Sequence, residues 1–296
     1  MKNRLPTRYA SGMASTDIAV ESAPARAAGT RRDRALGARL KRFAREAWPP
    51  LTVLVLLIVL WEVLVNVFSV SAEIVPGPRL VASATWADRA NLRPAMVTTT
   101  EEAVIGILVA TVVAVILAIA VDWSKSVRRS VYPLMVTSQT LPIIVLAPLV
   151  VIWFGFGMAP KIGLVALFTF FPICVGTVQG LASSDHDSMA LLRTMGASRR
   201  QLLTRIRIPS ALPQFFTGLK VAVTYAYVSA IFAEYVGGTQ GLGVYMQVSK
   251  NNFRTELVFG AIIATTLLTL ALFLVVAGLE RAALPWRRPV RGQDGW

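Results

Sequence analysis

The sequence predicts an all-α integral membrane protein with six transmembrane helices and both termini in the cytoplasm. Three observations lead there. Of 296 residues, 55% are hydrophobic and only 16% are charged, whereas a water-soluble domain carries about 25% charge. The apolar residues fall in six blocks, each close to the length that crosses a ~30 Å hydrocarbon core at ~1.5 Å per residue. The basic residues crowd into every other segment between those blocks. An ordinary soluble enzyme, a disordered chain and a disulfide scaffold are all excluded, the last because Cys174 is the single cysteine.

Residues 1–49 form a basic cytoplasmic tail. Residues 1–32 are polar and rich in Ala, Ser and Arg, a composition that cannot build a core. Over 33–47, Leu36, Leu40, Phe43 and Ala47 share one helical face, with Arg34, Arg39, Lys41, Arg42 and Arg45 around it. Two readings stay open for that stretch: a helix on the inner leaflet and a solvated basic tail. The apolar region, 50–280, follows, and 281–296 form a second cytoplasmic tail.

The first block, Leu51 to Phe68, is almost wholly apolar, and the second runs from about Ala103 to Val121. The third, about Val131 to Phe154, contains Pro142 and Pro148. The fourth, fifth and sixth cover roughly 161–181, 212–235 and 257–279. Helices are expected throughout, because lipid leaves exposed backbone groups unsatisfied. Continuous apolar runs, without alternation, exclude a barrel.

Charge fixes the orientation. The segments 1–50, 122–130, 182–211 and the tail after Leu279 hold 23 Lys and Arg; the opposite segments hold six, namely Arg79, Arg89, Arg93, Lys161, Lys250 and Arg254. The positive-inside bias therefore puts both termini in the cytoplasm, as an even number of spans requires. The net charge of +14 is thus a topology signal, and no nucleic-acid partner is expected.

Residues 182–211 are too polar and too patterned for a plain connection. Ser184 with Asp187, and Ser198 with Gln201, have the spacing of capping boxes that start two short helices. Gly196 suits the left-handed end of the first, and Pro209 and Pro213 are expected to stop the chain before the next span. Met189, Leu192 and Met195 lie near one face, and Leu202, Leu203 and Ile206 follow at helical spacing. The product is an apolar knob with an Arg rim, the composition of a protein-docking patch; an ordered loop packed on its own chain is the other reading.

The segment from Gly196 to Pro209 resembles the conserved cytoplasmic "EAA" loop of ABC-importer permeases, E-A-A-x3-G-x9-I-x-L-P. Gly196, Ile206 and Pro209 match, Ile208 stands for Leu, and the acidic residue and two alanines fall on Ala190, Leu191 and Leu192, a departure. Ile74-Val75-Pro76-Gly77-Pro78, the run from Ala147 to Gly157, and Glu234 with Gly241-Leu242-Gly243 resemble other stretches of the same family in the same order. The likeness covers roughly 50–287. It is strongest to the branch of nitrate, taurine, sulfonate and thiamin-precursor permeases, and within it to those for hydroxymethylpyrimidine.

The resemblance implies a type I importer fold, a homodimer with a second copy of the chain, two ABC ATPase subunits beneath and an external substrate-binding protein, in the bacterial inner membrane. It implies that Asp187, Leu191, Leu192, Arg193, Met195, Gly196, Ala197, Ser198, Arg199, Ile206 and Pro209 form the ATPase-coupling loop. No phosphate-binding G-x-x-x-x-G-K-[ST] motif occurs in the chain, so no cofactor is expected here and ATP and Mg belong to the partner.

Polar residues within spans mark a candidate substrate path: Gln139 and Thr140 beside Pro142, Tyr225, Tyr227 and Glu234. Each has a structural alternative, packing for the tyrosines and loop anchoring for Glu234; Glu62 reads chiefly as a structural acid. Thr98 with Glu101 and Thr99 with Glu102 read as overlapping capping boxes that start the second span. Gly237, Gly238, Gly241 and Gly243 read as a tight outer turn. His186 has no second ligand nearby, so no metal is expected. An ion-coupled carrier would leave the 182–211 knob without a purpose, and a membrane enzyme would need converging catalytic groups that are absent.

Overall fold

The computed structural model describes residues 48–286 except 50, 51, 124, 139 and 141. The amphipathic stretch expected at 33–47, both tails beyond 286 and before 48, and Gln139 lie outside the described residues. The chain divides into two units, 1–59 and 60–296. In the first, Thr52 Oγ1 donates to the Trp48 carbonyl at 2.8 Å, and the side chains of Val53 to Val59 are 44–61% exposed. Apolar side chains bared over consecutive positions suit lipid and not water.

The described helices are α1 (Thr52–Val67), α2 (Pro78–Ala87), α3 (Arg89–Trp123), α4 (Lys125–Ser138), α5 (Ile143–Phe154), α6 (Met158–Ala182), α7 (His186–Thr194), α8 (Arg199–Leu202), α9 (Ile208–Gly237), α10 (Leu242–Asn251) and α11 (Thr255–Ala283). Four stretches are long and apolar enough to cross a membrane: Arg89–Asp122, Met158–Ala182, Arg199–Gly237 and Thr255–Ala283. Thr52–Val67 and Ile143–Phe154 are shorter apolar helices.

The third apolar block is where expectation and structure part. It is two helices, because Pro142 has no N–H and starts α5 from extended backbone (φ −73°, ψ 122°). Thr140 closes α4 instead, its N–H and Oγ1 both bonding the Thr137 carbonyl at 3.0 and 2.7 Å. The second span also begins earlier than its apolar run: α3 starts at Arg89 and carries Pro94 inside. Thr98, Thr99, Glu101 and Glu102 are therefore interior helical residues and do not cap α3.

The core joins α3, α6 and α9. Ala103, Ala110, Ala114 and Ala118 are at most 1% exposed along one face of α3. Where α6 meets α9, a Cβ on Gly176 would lie 2.7 Å from the Gln214 carbonyl, and one on Gly180 would lie 2.7 Å from that of Ala211. Two helices in lipid gain little from excluding apolar surface from each other, so close backbone approach through small residues is what holds them.

Candidate functional site: a helical loop and two buried polar contacts

The chain leaves α6 at Ala182 and makes a short, well-terminated helix. Asp185 is the N-cap of α7: its carboxylate accepts from the Ser188 N–H at 3.0 Å, the Asp187 N–H at 3.4 Å and the Ser188 hydroxyl. The Ser188 hydroxyl and these N–H groups stabilise the charged form and hold Asp185 below the usual carboxylate range. Ser184, expected to be the cap, is instead turned inward; its hydroxyl donates to the Leu181 carbonyl at 3.2 Å and touches Met189 Sδ. Asp187 sits in the first turn, exposed, where its charge suits the helix dipole.

The C-terminal end closes as a Schellman motif. Gly196 takes φ +81°, its N–H reaches the Arg193 carbonyl at 3.0 Å, and the Ala197 N–H reaches Leu192 at 2.9 Å. Ser198 then caps α8 in a complete capping box with Gln201, as the spacing predicts. α8 does not end before the span. It runs through a π-helical turn, Leu203–Arg207, into α9, and Pro209 sits in the first turn of α9, where a missing N–H is tolerated. The expected stop at Pro209 and Pro213 is thereby absent, and the loop is rigidly continuous with a spanning helix.

The apolar face is split in two. Met189 and Leu202 are buried at 8% and 5%, with Leu192 and Ile206 half-buried, and these anchor the loop. Leu191 and Met195, one turn apart, are 63% and 72% exposed. Arg193, Arg199, Arg200 and Arg205 are exposed around them. A hollow of about 370 Å³ beside the loop is lined by Asp185, Ser188, Arg205, Pro209 and Trp286. At the root of the loop Arg207 Nη1 pairs with Asp122 Oδ2 at the C-terminal end of α3.

At the other end of the bundle lies a buried polar cluster. Glu234 is 1% exposed; Thr99 Oγ1 donates to one of its oxygens and the Gly243 N–H to the other, each at 2.6 Å. The Leu242 N–H donates to Thr99 Oγ1 at 2.8 Å. The carboxylate and the hydroxyl thus take two of the free N–H groups at the start of α10. Gly241 (φ +119°) is required there, since a Cβ would collide with the Glu234 carboxylate. Nearby, Lys161 pairs with Glu102, with side chains 9% and 0% exposed. Farther along α10, the Tyr245 hydroxyl donates to Asp88 at 2.6 Å. Burial, and then that carboxylate, push the phenol above its ordinary range.

Among the residues expected on a substrate path, Tyr225 is 50% exposed on α9 and Thr140 is exposed at the α4–α5 break. Tyr227 is 1% exposed and belongs to the α3–α6–α9 core, and Glu234 is enclosed as an anchor for α10, so both side chains face the interior of the protomer itself. Glu62 lies 3.7 Å from Arg79. His186 is exposed at the start of α7, and no cluster of metal-ligating groups occurs among the described residues. Sequence reasoning missed the Glu102–Lys161 and Arg207–Asp122 pairs and the helix α10. The available signal was charge at the very edge of apolar blocks: Lys161 and Glu102 each needed a partner.

The sequence pattern of the family described as binding-protein-dependent transport system inner membrane component matches residues 104–288. The formylaminopyrimidine transport permease ThiX of Halalkalibacterium halodurans is 41% identical over 184 residues, covering 62% of this chain and 74% of that protein. The riboflavin transport system permease RibX of Chloroflexus aurantiacus is 32% identical over 253 residues, covering 84% and 94%. A chain in a solved structure of inward-facing conformations of the MetNI methionine ABC transporter superposes with a TM-score of 0.53 at 17% identity, covering 68% of this chain and 98% of that one; that likeness shows a shared fold. The chain is a transport component and not an enzyme: it belongs to the family of binding-protein-dependent transport-system inner membrane permeases.

Proposed function

We propose that the chain is one of two identical permease copies of an ABC importer, and that the exposed tip of its 182–211 loop, residues 187–205, is the surface on which a partner ATPase docks. The observation that carries this is the exposed pair Leu191 and Met195 on a helix closed at both ends and ringed by arginines. Exposed apolar side chains held rigidly at the tip of a loop have no use to the protomer alone. A greasy centre with a charged border suits a protein partner. ATP and Mg act on that partner, and its closure pulls the loop, the continuous α8–α9 helix and the spans behind them between inward-open and outward-open arrangements. An external binding protein delivers the solute, and Tyr225 and Thr140 are placed on its path. Six spans with cytoplasmic termini fit the basic-residue bias.

The solute proposed is a thiamin pyrimidine precursor, supported by the 41% identity to a formylaminopyrimidine permease. The greater extent of the likeness to a riboflavin permease favours a second reading, a larger flat heteroaromatic solute.

Deleting 187–205 tests the docking role. The shortened protein is expected to insert in the membrane and no longer co-purify with its ATPase; retained co-purification would remove the role. For the solute, titration of the external binding protein with a formylated aminopyrimidine and with riboflavin separates the two readings.

A further inference from the structure

The helices α6 and α9 flank the 182–211 loop in the chain and must follow it when it moves. α3 has no such connection, yet both of its ends are fastened. At the inner end, the Asp122 carboxylate, 7% exposed, pairs with Arg207, 27% exposed and 85 residues away in sequence. Arg207 is the last residue of the π-helical turn that joins the loop to α9. At the outer end, Thr99 accepts the Leu242 N–H and donates to Glu234, and Glu102 pairs with Lys161. From Thr99 to Asp122 is about 35 Å at ~1.5 Å per residue, the depth of a hydrocarbon core. The proline of α3, Pro94, falls outside that interval, so the length between the fastenings is uninterrupted helix.

We propose that the Arg207–Asp122 pair makes α3 the rod that carries movement of the 182–211 loop across the membrane to α10, with Arg207 as the positioning residue. This rests on the docking role of the loop. Two charges at the edge of a low-dielectric slab are costly to separate, so the contact persists over a stroke that would shear an apolar one. At its far end, Thr99 holds the first turn of α10. A displacement of the loop therefore reaches the first turn of α10 by two routes, through α9 and Glu234 and, by way of the Arg207–Asp122 pair, through α3 and Thr99. Coupling of binding between two sites is reciprocal, so docking of a protein at the outer face shifts the loop through the same rod, and stimulated hydrolysis is its readout.

The test uses the whole importer in liposomes: permease, ATPase inside, and the external binding protein added outside as isolated from cells with its own solute. The reading is the factor by which that protein stimulates ATP hydrolysis. R207A and D122A are expected to lower the factor on the order of tenfold, with the ATPase still co-purifying and unstimulated hydrolysis retained. The exchange R207D/D122R is expected to restore it. A merely structural role would lower assembly and hydrolysis together and leave the factor alone. Full stimulation in R207A overturns the proposal, as does an exchange variant that assembles and stays unstimulated. Should R207A fail to assemble, the exchange variant decides: assembly with stimulation supports the rod, and any other result overturns it. Failure of the docking role is recognised separately, by ATPase retained after deletion of 187–205.

Discussion

Asp185 illustrates what a single residue does in this protein. It is exposed, but its carboxylate gathers three donors at the start of α7 and its acidity is raised accordingly. A carboxyl whose pKa is depressed on folding stabilises above its unfolded value, about 3.9, and loses that contribution as pH falls through the lower folded value. The contribution of Asp185 to ATPase co-purification is therefore expected to be the same at pH 8 and at pH 5. D185N, which keeps an acceptor, should bind the ATPase like the parent, and D185A should bind several-fold more weakly in a pull-down titration. The Glu102–Lys161 pair is a second residue-scale case. With both side chains nearly sealed, K161A leaves a buried carboxylate alone and should cost ~3–5 kcal/mol, read as a lower melting temperature of the detergent-solubilised protein; E102L/K161M should recover most of it. What was legible at this scale was local. Ser198 and Gln201 are three residues apart and formed the capping box their spacing predicts. Ser184 lost its expected place to Asp185 next to it, because either residue offers an acceptor and spacing alone cannot rank them. Glu102 and Lys161 are 59 residues apart, and no local pattern links them.

At the scale of elements, apolar length located four of the six expected spans and Pro142 marked one break, but Pro148 and Pro213 lie inside helices, and starts and stops shifted wherever tertiary packing extended a helix. α3 begins well ahead of its apolar run because Arg89 to Thr98 pack beside α2 and α10. α8 continues into α9 because a π-helical turn lets the chain pass Pro209 without a break. Gly237, Gly238, Gly241 and Gly243 predict a turn, and no apolar run announces α10 after them because its ten residues are mixed in polarity; its first N–H is held by Thr99, 143 residues away, and its second by Glu234. The contact of α6 with α9 is the element-scale prediction. A leucine at Gly180 cannot fit against the Ala211 backbone, and overpacking costs ~1–3 kcal/mol or more. G180L should therefore lower the yield of folded protein in membranes, while G278L, which faces open space on α11, should express normally. Y245F, which leaves Asp88 one donor short, should cost ~1–3 kcal/mol and is read in the same assay.

For the whole molecule, the all-helical fold class and transport role were legible because the bilayer imposes so few solutions: continuous apolar blocks can only be helices. The order of several short motifs then pointed to the family that the comparisons show. The solute is not written in the same way. Side chains along a path have no required spacing, and two of the five expected there, Tyr227 and Glu234, face the core of the protomer. The central claim is that an inner-side helical loop receives force from a separate ATPase. Cys174 is the single cysteine and is buried, which makes a C174A background convenient for one direct measurement: labelling of M195C by a membrane-impermeant maleimide. The account predicts no labelling of intact cells, labelling of inside-out vesicles, and protection on the order of tenfold when the ATPase is bound. Labelling from outside intact cells, or equal labelling with and without the ATPase, would contradict it.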